Sequence, residues 1–389
     1  MLDSSPAPRG PSVHRSVYVH VPFCRHRCGY CDFTLVAGRD DLADRYLAAL
    51  DRELDRVAPP TPGGRVELDT LFLGGGTPTR LTSPQLDRLF AAVFRRYRLA
   101  EGAEVSVEAN PSDVTPELVD CLADAGVNRV SLGVQSFDAD ALKVLERDHA
   151  PADVPRVLET VRRRIENISL DLIYAVPGHD LAGWEATLDA ALALEPTHLS
   201  TYGLTFEKGT AFWSRRRKGE LISPPEESER AMYAAAMDRP AAAGFRQYEL
   251  SSHARPGSEC RHNRAYWCGD DFEAFGPGAA NLLGGVRRMN HRGVLGWLRR
   301  VEAGEPPWIE EETLDPEERA RELVMLNLRR VEGVVSDDFA RRTGSAVDDL
   351  LGDDLVEQRR RGLVESDEAG VRLTRDGRFV ADGVMAAFL

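Results

Sequence analysis

Residues 18–33, YVHVPFCRHRCGYCDF, decide how this chain is interpreted. The alternating apolar residues at the start of this stretch predict a β-strand, and the loop that follows carries cysteines in a CxxxCxxC pattern. Three thiolates this close together can reach one metal centre. A cubane iron–sulfur cluster normally takes four cysteines, so three leave one iron free to bind a small molecule. The motif therefore predicts a [4Fe-4S] cluster on Cys24, Cys28 and Cys31.

The free iron could be chelated by the amino and carboxylate groups of S-adenosylmethionine. Its sulfonium would then accept an electron from the cluster, and carbon–sulfur cleavage would give a 5′-deoxyadenosyl radical, while the protein supplies position and shielding. A closed zinc site is the alternative, because zinc takes four ligands and His20 or His26 could supply the fourth. Zinc predicts a colourless protein, so anaerobic purification separates the two interpretations.

The composition is that of a globular protein of about two domains. The chain has 389 residues, of which 42% are hydrophobic and 29% charged, with a net charge of −14. It contains no signal-peptide pattern and no apolar run of the roughly 20 residues that span a membrane, so we expect a cytoplasmic protein without a membrane span. Short basic clusters lack interleaved aromatics, and we expect no nucleic-acid partner.

Strand-like and helix-like segments alternate from Ser16 to about Leu204. Six such units predict an α/β fold with a partial, TIM-like (βα)6 barrel, although the period alone does not exclude a doubly wound sheet. Ser83 and Pro84 are predicted as the N-cap and first residue of the second helix. The predicted organisation is a disordered N-terminal tail (1–14), a barrel core (15–245), an α+β extension (246–309) and a C-terminal helical, winged-helix-like domain (310–389).

Polar and small residues follow several of the predicted strands. Gly74, Gly75 and Gly76 follow the second strand, where residues without a side chain let backbone groups approach a ligand, although such a run is often only a tight turn. Further candidates lie at or near the carboxyl ends of later strands, the end at which βα barrels collect function; these are Glu108, Gln135, Asp171 and Tyr202. Taken singly, each could be an ordinary solvated or half-buried side chain.

The strings VEANP, GVQSFD, LERDH, DLIYAVPG and YGLTFEKGT, together with the cysteine motif, are similar to the HemN/HemW branch of the radical S-adenosylmethionine superfamily. The resemblance runs from about Val17 to the C-terminus and implies the radical SAM type of barrel. By motif position, it also implies that S-adenosylmethionine is contacted by Tyr18, Tyr30, Gly75, Gly76, Thr77, Glu108, Gln135, Arg147, Asp171 and Gly203.

Two features separate the members of this branch. The coproporphyrinogen dehydrogenases carry a further cysteine two positions after the third ligand and a longer N-terminal extension, whereas this chain has Phe33 there and 17 residues before Tyr18. The HNxxYW pattern of the heme chaperones is matched at 262–267. The resemblance thus implies a chaperone that binds heme through His262 and serves a heme-acceptor protein, with an electron donor for the cluster. The alternative is an oxygen-independent coproporphyrinogen III dehydrogenase.

Several residues near the HNxxYW pattern have competing interpretations. A single histidine beside a tryptophan is more often a packed core residue than a ligand. Cys260 and Cys268 flank the pattern and are interpreted as partly buried free thiols, although both could ligate a metal. Where the branch often reads GAHS, this chain reads GAAN at 278–281 and lacks the histidine.

Overall fold

The computed structural model describes residues 15–57 and 64–389, so the predicted tail at 1–14 lies outside the described residues. The first half alternates strands and helices. Its strands are β1 (Ser16–Val21), β2 (Phe23–Cys24), β3 (Val36–Ala37), β4 (Val66–Gly75), β5 (Tyr97–Ala109), β6 (Arg129–Gln135), β7 (Asn167–Tyr174) and β8 (His198–Gly203). Its helices are α1 (Ala43–Val57), α2 (Ser83–Arg96), α3 (Pro116–Asp124), α4 (Ala139–Val144), α5 (Val154–Arg162), α6 (Leu181–Ala193), α7 (Ala211–Arg217) and α8 (Glu226–Ala242).

The second half is built from shorter strands and helices. The strands are β9 (Arg246–Glu249), β10 (Ser252–Ala254), β11 (Glu273–Phe275), β12 (Ala280–Leu283), β13 (Val286–Asn290), β14 (Trp308–Thr313), β15 (Val334–Val335), β16 (Val364–Asp367) and β17 (Gly370–Leu373). The helices are α9 (Arg261–Trp267), α10 (Val294–Glu302), α11 (Pro316–Leu328), α12 (Ser336–Thr343), α13 (Val347–Arg360), α14 (Arg375–Phe379) and α15 (Ala381–Ala386). In the described ranges, no helix is both long and apolar enough to cross a membrane.

One large sheet carries the barrel, with strand order β11-β1-β4-β5-β6-β7-β8-β10-β9. The six strands from β1 to β8 pair in parallel and follow chain order without reversal. A doubly wound sheet would reverse its strand order at a switch point, so this order confirms the predicted partial barrel. The segment predicted as an extension adds β11 in parallel beside β1 and β10 antiparallel beside β8.

Alternate residues of each strand point to opposite faces of the barrel wall, because side chains alternate with a period of two. In β1, Val17, Val19 and Val21 are fully buried in the apolar core. Tyr18, between them, lines a cavity inside the barrel, as does Asp171 of β7. The sequence therefore stabilises the wall with one set of positions and presents polar groups to the interior with the other.

The N-terminus of α2 differs by one residue from the prediction. Ser83 was predicted as the N-cap, but Thr82 holds that place with an extended backbone (φ −68°, ψ 159°), and Ser83 and Pro84 are the first helical residues. The Gln85 side chain accepts a hydrogen bond from the Thr82 backbone N–H at 3.1 Å. Thr82 offers the same capping hydroxyl as serine, and Gln85 three positions later completes a capping box only with Thr82.

The C-terminal residues form a winged-helix-like domain, as predicted. Strands β15, β17 and β16 make a three-stranded sheet, and helices α11, α12 and α13 pack with it around a separate apolar core. The domain is attached to the barrel region by a two-pronged ion pair in which the Arg375 Nη atoms lie 2.8 Å from the Asp238 carboxylate oxygens. A backbone hydrogen bond of 3.1 Å from Val331 N to Tyr248 O joins it to β9.

Candidate functional site

The cysteine loop connects β1 to α1, and contacts between residues of the loop itself hold its conformation. Strands β2 and β3 pair in parallel and close the loop at its base. The Arg27 guanidinium donates hydrogen bonds to the carbonyl oxygens of Cys31 (3.1 Å), Phe33 (3.2 Å) and Leu35 (3.1 Å). Because a guanidinium offers five donors in a fixed plane, one side chain can bind several carbonyls at once. The β2–β3 pairing and the Arg27 hydrogen bonds thus hold the loop conformation.

The three thiols lie in different surroundings. The Cys24 Sγ is 3.5 Å from Thr77 Oγ1, and the Cys28 Sγ is 4.0 Å from Arg147 Nη1. Burial raises the pKa of Cys24 to about 11 and also raises the pKa of Cys28 and Cys31. Among the residues that the structure describes, no three His, Cys, Asp or Glu side chains are grouped to hold a single metal ion. Three sulfur donors on one loop, facing one cavity, fit a multi-iron cluster whose corners take separate thiolates.

A cavity of about 950 Å³ adjoins this loop and brings most of the predicted site together. The three cysteines line it. The predicted S-adenosylmethionine residues that line it are Tyr30, Gly75, Gly76, Thr77, Glu108, Gln135, Arg147, Asp171 and Gly203. Tyr18 instead lines a neighbouring inner cavity of about 350 Å³, which also contacts Glu108 and Asp171. Both volumes fall within the range of known ligand pockets, roughly 300–1,000 Å³.

The end of β4 is fitted closely to its neighbours. The Gly75 N–H donates to Glu108 Oε2 at 2.9 Å, and Gly75 adopts a φ of +110°, which favours glycine. A Cβ added to Gly76 would lie 2.8 Å from the Phe23 carbonyl oxygen and 2.9 Å from the Pro22 carbonyl carbon. Burial raises the pKa of Glu108 to about 8, so this carboxyl is largely protonated at neutral pH.

Gly76→Ala is expected to destabilise the fold and lower the cluster content, because its Cβ would displace the cysteine-loop backbone. Gly383→Ala is the matched control, since nothing lies within 4 Å of a Cβ there, and alanine favours a helix by up to about 1 kcal/mol. Thermal unfolding together with iron and sulfide analysis measures both variants. Equal stability and equal iron content in the two variants would contradict a packing role for Gly76.

Two residues near the cysteine loop and the cavity, Gln135 in the cavity wall and Glu146 beside Arg147, have strained backbones. Gln135 (φ 65°) and Glu146 (φ 56°) lie in the left-handed region that non-glycine residues rarely adopt. Such strain concentrates at functional sites, where the surrounding structure enforces it. Beside Glu146, Arg147 donates from Nη2 to the Gly133 carbonyl oxygen at 2.8 Å, which fixes its guanidinium next to Cys28.

Sequence reasoning did not single out Glu146 or Phe212, yet both hold the cysteine loop. Glu146 Oε2 accepts a hydrogen bond from the Gly29 N–H at 2.7 Å, and the Phe212 N–H donates to the Gly29 carbonyl oxygen at 2.8 Å. The Phe212 ring contacts Tyr30 edge-on, with 6.0 Å between ring centroids. The available signal for Glu146 was its place in LERDH beside Arg147, whereas no sequence signal marked Phe212.

The HNxxYW residues lie on α9 and line the inner cavity of about 350 Å³. His262 is buried, with Nδ1 2.8 Å from Thr70 Oγ1 and Nε2 2.7 Å from the Tyr266 hydroxyl. Burial, with a contribution from the Arg129 charge, lowers the pKa of His262 to about 3. The ring is therefore neutral at physiological pH, and an iron atom could bind it only by displacing one of these two partners.

The other candidate ligands of this region are also engaged in protein contacts. Cys260 is buried, and its Sγ donates to Glu104 Oε1 at 3.5 Å. Cys268 Sγ accepts a hydrogen bond from Arg330 Nη1 at 3.2 Å. Neither thiol forms a disulfide; Cys268 is partly buried as predicted, whereas Cys260 is fully buried.

Two protein-family models match this chain, one in the barrel and one in the C-terminal domain. Residues 18–191 match the Radical SAM superfamily, and residues 314–380 match the HemN C-terminal domain. The heme chaperone HemW of Bacillus subtilis (strain 168) is 37% identical over 377 residues, which cover 96% of this chain and 99% of that protein. HemW of Mycobacterium tuberculosis (strain H37Rv) is 35% identical (97% and 96% covered), and HemW of Escherichia coli (strain K12) is 31% identical (96% and 98% covered).

A solved structure has the same fold. It is described as "Coproporphyrinogen III oxidase (HemN) from Escherichia coli is a Radical SAM enzyme". It superposes with a TM-score of 0.84 over 96% of this chain and 90% of that chain, at 23% sequence identity. At this identity the match establishes the shared architecture of barrel and C-terminal domain.

Proposed function

Since this chain belongs to the HemW family of the radical S-adenosylmethionine superfamily, we propose that it is a heme chaperone, which binds heme and passes it to an acceptor protein. The observation that carries the proposal is one cavity, lined jointly by the three thiols, the strand-end residues and the C-terminal domain. Its volume of about 950 Å³ is at the upper end of the range of ligand pockets, roughly 300–1,000 Å³, and suits a large ligand.

In this proposal Cys24, Cys28 and Cys31 hold a [4Fe-4S] cluster, and the cavity residues orient S-adenosylmethionine at its free iron. When bound, the cluster and S-adenosylmethionine supply one-electron chemistry, for which a separate electron donor is needed. Arg147 would keep a positive charge beside Cys28, and the buried Glu108 carboxyl would present a polar group next to the β4 glycines. None of the six cysteines forms a disulfide, which is the usual state in a reducing compartment such as the cytoplasm.

The experiment that tests the proposal is anaerobic reconstitution, followed by heme titration and a coproporphyrinogen turnover assay on the same sample. We expect a saturable change in the heme absorption spectrum, and heme transfer to an apo-acceptor when one is added. A cluster-loaded protein that binds no heme would refute the chaperone proposal while leaving the cluster and S-adenosylmethionine proposals intact.

His262→Ala is expected to weaken heme binding and change the heme absorption spectrum if this imidazole is the axial ligand. The substitution also removes hydrogen-bond partners of Thr70 and Tyr266, so a general loss of stability must be measured separately by thermal unfolding. Thr70→Ala, which removes one hydrogen-bond partner of the imidazole but leaves the imidazole itself, is the control for the same region. If His262→Ala retains both affinity and spectrum, the axial ligand lies elsewhere, and Cys260, Cys268 and His291 are the next residues to test.

A further inference from the structure

Two arginines line the large cavity without an acidic partner. Arg329, at the end of α11, and Arg378, in α14, form no ion pair with any carboxylate of the described residues, and the Nε of each is buried without a hydrogen-bond partner. Their neighbour Arg375, three residues before Arg378, is fully paired with Asp238. Both side chains are half-buried, and a guanidinium that lines a cavity without a carboxylate partner is suited to bind an anion that the cavity receives.

The guanidinium of Arg378 and the backbone of Arg329 are linked by hydrogen bonds to the surroundings of one tyrosine. Arg378 Nη1 donates to Gln247 Oε1 at 3.0 Å, and Gln247 Nε2 donates to the Tyr233 hydroxyl at 3.3 Å. That hydroxyl donates to the Leu250 carbonyl oxygen at 2.9 Å, and the Leu250 N–H donates to the Arg329 carbonyl oxygen at 3.0 Å. Burial raises the pKa of Tyr233, and the charges of Arg378 and Arg329 oppose this rise.

An aromatic contact positions Arg329, and among the described residues the nearby acids form no ion pair with either arginine. The Arg329 Cζ lies 4.5 Å from the centroid of the Trp267 ring. Glu249 is buried, its Oε2 accepts a hydrogen bond from the Ser251 N–H at 3.1 Å, and burial raises its pKa. Glu229 and Asp382 line the same cavity, and neither forms an ion pair with Arg329 or Arg378.

The chemistry of the missing anion follows from the donors. A planar guanidinium binds a carboxylate through two parallel hydrogen bonds, and such charge-assisted pairs are strong where water is excluded. Three aromatic side chains, those of Tyr174, Tyr233 and Phe379, line the same cavity as the two arginines. A flat apolar ligand with carboxylates at its edge matches this surface, and heme, whose propionates are carboxylates, has this form.

We propose that Arg329 and Arg378 form a carboxylate clamp that binds the propionates of heme in the large cavity. This inference rests on the proposed chaperone function and specifies how the cargo is recognised. It assigns the C-terminal domain a part in the binding site, because the domain supplies both charges. The clamp would fix one edge of the heme irrespective of which residue ligates the iron.

The test is an absorption titration of the full-length protein with heme, heme dimethyl ester and iron-free protoporphyrin IX. In the parent, esterification should weaken heme binding by about tenfold or more, because it removes the charges that the clamp recognises. Arg329→Gln and Arg378→Gln should each weaken heme and protoporphyrin IX to a similar degree, and should leave the ester unaffected. Arg360→Gln, whose side chain pairs with Glu357 on α13 outside the cavity, is the matched control and should bind all three like the parent.

Several results would overturn the clamp. Unchanged heme affinity in both arginine variants would do so, as would an equal loss for heme and its ester, since that pattern indicates a packing defect. Thermal unfolding of each variant identifies such a defect directly. If the parent binds neither heme nor protoporphyrin IX, the chaperone proposal falls together with the clamp, whereas heme binding that ignores esterification refutes the clamp alone.

Discussion

Replacing Cys24, Cys28 or Cys31 with alanine is expected to abolish the iron–sulfur cluster almost completely. Each cysteine supplies one corner of the proposed cluster, and a loop whose backbone is fixed by Arg27 cannot move another donor into the vacated place. His26 is the exception to examine, because its Nε2 lies 3.6 Å from Cys28 Sγ. The His26→Ala/Cys28→Ala double variant removes that substitute ligand.

Iron and sulfide analysis after anaerobic reconstitution measures this effect, together with the visible absorption of the cluster. Cys121→Ala is the matched control, since this thiol lies on α3, far along the chain from the loop, and packs partly against the apolar core. It should retain the parent content of about four irons per chain. Four irons retained in all three loop variants would refute the cluster assignment, and stoichiometric zinc in the parent would favour the zinc site instead.

The barrel could be predicted because its signals are local. Alternation in β1 and β7, with apolar residues on one face and polar ones on the other, is visible within single strands. The three residues of β11 carry no such pattern, and their pairing with β1 joins positions more than 250 residues apart, as Val17 with Glu273. Long-range pairing of short segments is not encoded in local propensity, and so this strand was not predicted.

The site was predictable where residues stand in motifs, but their contacts were not. The cysteines and the strand-end residues were identified by position, and the structure places nearly all of them around one cavity. The hydrogen bond between His262 and Thr70 links residues 192 positions apart and could not be read from HNxxYW. Likewise, Gly76 was expected to let a ligand approach. In the structure, a side chain at this position would also collide with the Phe23 carbonyl oxygen.

The protein is expected not to convert coproporphyrinogen III to protoporphyrinogen IX, even with an intact cluster, S-adenosylmethionine and a reductant. Phe33 stands where the dehydrogenases of this branch carry a cysteine. Phe33 is 57% exposed and lines the large cavity, so a substrate bound there would contact its side chain. A phenyl ring has no exchangeable thiol proton and no polar group to direct at a propionate.

Anaerobic product analysis for protoporphyrinogen and carbon dioxide measures this outcome, with the Escherichia coli coproporphyrinogen III oxidase as the positive control. The expected yield is below one product per chain, because the HNxxYW region suits metallated heme, whose iron takes an axial donor that an iron-free porphyrinogen cannot use. Cys31→Ala identifies any product formed without the cluster. Release of one or more equivalents that depends on Cys31 would contradict the prediction and favour the dehydrogenase, since only repeated decarboxylation through the cluster yields that stoichiometry.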